Sequence, residues 1–198
     1  MSLMQMLQEQ LSSQALGALQ KQTGADGGQI QQAAMAALPM LLGGLAKNAE
    51  SEDGAKSLWS ALDKDHDGGM LDNLSDFFGS GQAQQQGKGI LGHVLGGRQQ
   101  QVEQVVAKAS GMNAQGAGQT LAALAPVVMG MIGKMQSQKQ IGGLGQLTEL
   151  LGQESQQLRK NPQTGGLLSS LMDADGDGDV DISDIMSRGS LLGRFFRK

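Results

Sequence analysis

Two apolar runs, each interrupted by one proline, constrain this chain more than anything else in it. Ala33–Ala46 reads AAMAALPMLLGGLA and Leu121–Gly133 reads LAALAPVVMGMIG, with no charge in either. Pro126 lies 87 residues after Pro39. At that offset Lys21 coincides with Lys108, Gly24 with Gly111, Gln32 with Gln119, Ala36 with Ala123, Gly43 with Gly130 and Lys47 with Lys134. Leu41, Leu42 and Leu45 stand opposite Val128, Met129 and Ile132. The pattern reads as an internal repeat, Leu7–Lys47 against Val94–Lys134. A pseudo-symmetric helical pair is its simplest outcome. The alternative is coincidence, because a Gln-, Ala- and Gly-rich composition inflates chance matches.

Apolar spacing along the chain is helical throughout. Ser2 followed by Gln5 has the form of a capping box. Met4, Leu7, Leu11, Ala15 and Ala18 then recur at three- and four-residue intervals, up to a break at Thr23–Gly28. The next helix carries Ile30, Ala34, Ala37 and Leu38, and Pro39 is predicted to kink it or start a new one. Asp53 is a candidate cap for a short helix with Leu58, Trp59 and Leu62. An Asp-rich turn follows, then a short apolar helix ending in Phe77 and Phe78. Gly79–Gly89 (GSGQAQQQGKG) reads as a flexible linker. Leu144, Leu147, Leu150 and Leu151 mark another helix, and polar Gln153–Thr164 with Pro162 reads as a link. No stretch sustains period-two alternation, so the predicted fold is all-α. Residues 1–152 form a helical domain of two repeats, about 1–78 and 90–152, and residues 153–198 form a separate C-terminal segment.

Four stretches carry a resemblance: ALPMLLGGLAKNA, LDKDHDGGMLDNL, GKGILGHVLGGRQQQVEQVV and LAPVVMGMIGKM. They resemble the bacterial domain-of-unknown-function family 937, over roughly Leu7–Leu151. The resemblance is most specific in the HDGG turn and in GILGHVLGG. It implies a bacterial, helical, non-enzymatic protein and brings no established function.

Function is most legible in Asp173–Asp184, DADGDGDVDISD. Asp173, Asp175 and Asp177 occupy loop positions 1, 3 and 5, and Gly178 at position 6 allows the sharp turn that gathers them. Asp179 offers its carbonyl from position 7, Asp181 acts through water from position 9, and Asp184 closes the loop at position 12. This is the donor spacing of an EF-hand calcium loop, chemistry suited to a hard cation that takes six to eight oxygens. Val180 sits where a short strand would pair with a second loop. Leu167, Leu168 and Leu171 before the loop, and Ile182, Ile185 and Met186 after it, would pack flanking helices into a helix-loop-helix. Position 12 is Asp rather than the usual Glu. The shorter arm is predicted to weaken bidentate closure and let magnesium compete with calcium. Asp at this position resembles dockerin-type loops. The bland alternative is a solvated acidic turn.

A weaker second cation site opens the same way at Asp63, Asp65, Asp67 and Gly68, but position 12 is Leu74. Asp76 is the candidate closing ligand. The simpler reading is a turn between helices. His66 and His93 are the chain's two histidines. With one imidazole beside acidic oxygens and no Cys, zinc is disfavoured at His66. No nucleophile has a base at recognisable spacing and no Gly-rich stretch matches a phosphate loop, so no enzyme is predicted. The last residues, Arg188–Lys198 (RGSLLGRFFRK), combine four positive charges with Leu191, Leu192, Phe195 and Phe196. Such a segment either docks on the core or forms a basic amphipathic tail for an acidic partner or membrane surface.

The charge balance narrows the partners. The acidic loop's six carboxylates exceed the net charge of −4, so the remainder is only slightly basic and nucleic acid is not an expected partner. A protein partner or a second copy of the chain fits better, and a membrane surface less well, because neither proline-containing run is long enough to cross a bilayer. The chain has no Cys, hence no disulfide framework. Its start, MSLMQMLQEQ, lacks the basic and apolar regions of a secretion signal, which predicts a cytoplasmic location.

Overall fold

The computed structural model of the chain describes residues 2–11, 13–66, 68–161 and 164–166. The acidic loop Asp173–Asp184 and the tail Arg188–Lys198 lie outside the described residues. The described residues form an all-α fold without strands. In chain order the helices are α1 (Leu3–Gln10), α2 (Ser13–Thr23), α3 (Gly27–Ala49), α4 (Glu52–Asp65), α5 (Leu74–Gly79), α6 (Gln82–Val94), α7 (Gln99–Ser110), α8 (Ala114–Ser137) and α9 (Leu144–Lys160).

The two apolar runs become the centres of α3 and α8. Both helices are apolar around much of their circumference, so no single face can be left to water. They pack on each other and the shorter helices enclose them: α7 touches both, α6 covers α8, α9 covers α3, and α2 packs on α5. Leu38, Met40, Leu41 and Leu42 of α3 and Leu124, Val127, Val128 and Ile132 of α8 are essentially inaccessible and belong to one continuous core. Each such Leu contributes about 1.5–3 kcal/mol relative to exposure.

Side chains chosen for their hydrogen bonds fix the helix starts. The capping box is present at Ser2, whose Oγ accepts from the Gln5 amide at 3.2 Å, and it recurs at Asp26, whose carboxylate accepts from the Gln29 amide at 2.9 Å. Asn113 caps α8 by accepting from the Gly116 amide at 2.7 Å. The cap of α4 is Ser51, which accepts from the Gly54 amide at 3.1 Å, and not Asp53, which sits inside the first turn.

Three sequence expectations are corrected. First, Pro39 does not start a new helix: α3 runs through it, as α8 runs through Pro126. A proline in a helix interior costs about 3 kcal/mol, and burial of both flanks in the core outweighs that cost. Second, Gly79–Gly89 is not a flexible linker, because α6 starts at Gln82. Its buried face is Ala83, Gly87, Leu91 and Val94, at intervals of four, four and three residues. Third, polar Gln153–Thr164 is helical as far as Lys160, with Glu154, Ser155 and Leu158 buried.

Gly87 is the glycine of α6 that its packing requires. A Cβ at this position would lie 1.6 Å from the Ala122 carbonyl oxygen. That oxygen belongs to the residue four before Pro126 and has lost its intrahelical N–H donor to the proline. The backbone of α6 therefore crosses α8 at the carbonyl left without that donor, and the Gln84 amide donates to the Gln119 carbonyl at 2.6 Å. Gly87→Ala is expected to lower the urea midpoint by an overpacking cost of about 1–3 kcal/mol or more. Gly89→Ala, on the open side of α6 with nothing within 4 Å, is expected to be neutral or slightly stabilising. Equal losses in both variants would show that the crossing is not close.

Candidate functional site

The chain's two histidines come from different segments and line one cleft. It opens between the end of α3, the first turns of α4 and the last turns of α6, with a volume of about 890 Å³. Leu58, Ile90 and Met129 give it an apolar surface, and Asn48, His66 and His93 give it polar groups. His66 is 7% exposed at the C-terminal end of α4. His93 Nδ1 lies 2.8 Å from the Gly89 carbonyl, which can only accept, so Nδ1 is the donor of that bond. Asn48 donates its amide to the His93 carbonyl at 2.7 Å, tying α3 to α6 beside the cleft. Such a lining can cover an apolar group and hydrogen-bond a polar end.

Sequence reading did not bring these groups together. His66 and His93 are 27 residues apart across a stretch with the composition of a linker, and only the helical state of α6 places them on one cleft. The helical register was the available signal for Asn48, which follows the buried Leu45 by three residues on α3.

The HDGG turn has a clear structural cause. Gly68 is buried with φ 92° and ψ 0°, the left-handed conformation that a position-6 glycine supplies in a D-x-D-x-D-G turn. A Cβ there would stand 2.7 Å from the Lys134 Cβ and 2.9 Å from the Gly130 carbonyl oxygen. The turn thus lies directly on the C-terminal half of α8. A 3-10 turn, Gly69–Asn73, carries the chain into α5.

The described acidic groups of this turn, Asp63, Asp72 and Asp76, are dispersed. Asp63 is exposed on the last turn of α4. Asp72 lies 3.6 Å from the Lys134 Nζ, an exposed pair that contributes about 0–1 kcal/mol. Asp76 accepts from the Asn73 side-chain amide at 2.5 Å, while the Asn73 oxygen caps α5 through the Asp76 amide. The Asp65 side chain and Asp67 lie outside the described residues. Among the described residues no three His, Cys, Asp or Glu form a group able to hold a metal ion.

Two kinds of glycine separate conformational strain from close packing. Gly81 has φ 74° but nothing within 4 Å of its would-be Cβ. Gly81→Ala is expected to cost about 1 kcal/mol of backbone strain. Gly68→Ala adds a collision with α8 and is expected to lower the melting temperature by clearly more than Gly81→Ala, read by the helical circular-dichroism signal. A smaller loss at Gly68 would remove the turn from its place on α8.

The family described as "Bacterial protein of unknown function (DUF937)" matches residues 5–136, from α1 nearly to the end of α8, and so includes both the HDGG turn and the cleft. No curated protein matches the chain, and no solved structure does. With two thirds of its length matched, the chain belongs to the bacterial family of unknown function DUF937.

Proposed function

We propose that this chain is a divalent-cation-binding protein of structural or regulatory role, calcium first, with Asp173–Asp184 as its ion loop and no catalysis involved. The observation that carries the reading is the donor spacing: Asp173, Asp175, Asp177 and Asp184 around Gly178, with the Asp179 carbonyl and Asp181 completing the shell. Asp184 in place of Glu leaves magnesium a competitor. The Asp63–Asp76 turn is a weaker second site. The left-handed Gly68 supports it, but an ion there must draw Asp76 away from Asn73. Asp173→Ala with Asp175→Ala is expected to abolish calcium binding at the loop. Calorimetry showing unchanged affinity and stoichiometry in that double variant would overturn the assignment.

The loop rides on a body that we read as two repeats. Support comes from α2–α3 and α7–α8. α3 starts at Gly27 and α8 at Ala114, an offset of 87 residues, and their caps are Asp26 and Asn113. The glycines that follow α2 and α7, Gly24 and Gly111, take φ of 70° and 71°. Gln29 at the start of α3 donates to the Gly111 carbonyl at 2.8 Å, joining the two halves. Cutting the chain at Ser80–Gly81 is expected to leave two fragments that stay associated and helical on a sizing column. Two independent, well-folded fragments would sink the paired-repeat reading.

A second reading is a helical interaction module whose acidic loop only stabilises the fold. The cleft favours it, through its apolar lining and its two histidines. The membrane form of that reading has less support. α8 is long and apolar enough to cross a bilayer, longer than its apolar run suggested, but 89% of its most apolar window is buried inside the protein. Following apolar-dye binding during the calcium titration separates the two readings: a sensor changes its exposed apolar surface, a scaffold only its melting temperature.

A further inference from the structure

The halves differ in what lies across their central helices. α6 crosses α8 at Ala122, where Pro126 has freed a carbonyl. The residue 87 positions earlier is Met35, four before Pro39, whose carbonyl is freed in the same way. There α3 is open. Met35 is the one large apolar side chain left exposed among the described residues, at 49%. It lines a groove of about 630 Å³ with Met4, Gln32, Ala36, Leu158 and Thr164.

We propose that this groove is the docking site of the chain's own segment Leu167–Met172, lying over α3 as α6 lies over α8. Position is the first argument. Thr164 is already part of the groove wall, so Leu167, three residues on, is within about 10 Å of it. Pattern is the second. Leu167, Leu168, Leu171 and Met172 share the spacing of one helix face, and Met35 offers them an apolar surface. Charge is the third. Leu167–Met172 carries none, and the groove's one carboxylate, Glu154, is buried and already accepts from the Leu3 amide at 2.7 Å. The four cations of Arg188–Lys198 would find no free partner there. Docking places Asp173, the first residue of the acidic loop, at the groove's edge. The choice of the α3 face rests on the paired-repeat reading. The split-chain test of that reading and the calorimetry of the loop each fail independently of disulfide formation across the groove.

The chain has no cysteine, so engineered pairs report cleanly. In the full chain, Met35→Cys with Leu168→Cys, or with Leu171→Cys, is expected to form an intramolecular disulfide under diamide, with calcium or with EDTA. Met35→Cys with Phe195→Cys is expected to react far more slowly. Absence of the first disulfide, faster closure with the Phe195 pair, or disulfides only between two chains would each overturn the proposal. The last two results would assign the groove to the basic tail or to a second copy. A further readout comes without cysteines. Met35 should be oxidised by peroxide several-fold more slowly in the native chain than in the Leu167→Ser, Leu168→Ser, Leu171→Ser variant, with fully buried Met40 protected in both. Equal Met35 rates with Met40 protected would overturn the proposal as well.

Discussion

The structure depends on enclosing two helices that have no polar face. Apart from the exposed Met35, α3 and α8 bury nearly every side chain of their central turns, so they must be surrounded. With 3% aromatic residues, the chain cannot enclose them by filling space with large rings. It brings backbones close instead. Ala and Gly on α3, α6 and α8 shorten the interhelical distance until many small contacts replace a few large ones. Gly44, Gly68 and Gly87 are thus part of the packing, each with a neighbouring element where its Cβ would stand.

Close approach of backbones creates a second requirement, because helix carbonyls must still find donors. The abundant Gln and Asn side chains supply many. Gln22 reaches the Phe78 carbonyl, Gln29 that of Gly111, Asn48 that of His93 and Gln84 that of Gln119. Each spans two elements distant in sequence, and each neutral hydrogen bond contributes about 0.5–1.5 kcal/mol. A composition that looks like low complexity along the chain is, in the fold, a set of ties between helices.

Where the sequence was legible, the signal was a local period. The stripe of Met4 and Leu7, the box at Ser2 and Gln5, the central runs and the short helix ending in Phe77 and Phe78 follow from spacing and caps alone. The failures share a physical cause. α6 contains Gly87, Gly89 and Gly92 and has little helix propensity of its own; its helical state is stabilised by packing on α8, a tertiary effect invisible in a window of residues. Pro39 and Pro126 signal only their local cost, which the core overrides. The cleft was hidden for the same reason, since His93 reaches it only through α6. The acidic loop is a different case: its reading rests on local donor spacing alone, and it lies outside the described residues.

That contrast bears on how an ion could matter here. The described core is continuous from Leu3 to Leu158. Ion binding stabilises whichever equilibrium changes the ligands' surroundings. The described core contains none of the Asp173–Asp184 ligands, so under the proposed reading the binding free energy of a filled loop would fall first on the segment beside it and on the α3 surface we propose that segment covers. Six carboxylates in twelve residues repel one another, so an ion bound as proposed would offset the charge of that segment. A cation at that loop would then act beside the α3 face, on charge and shape next to an already docked segment, and not through the buried contacts of α3 and α8.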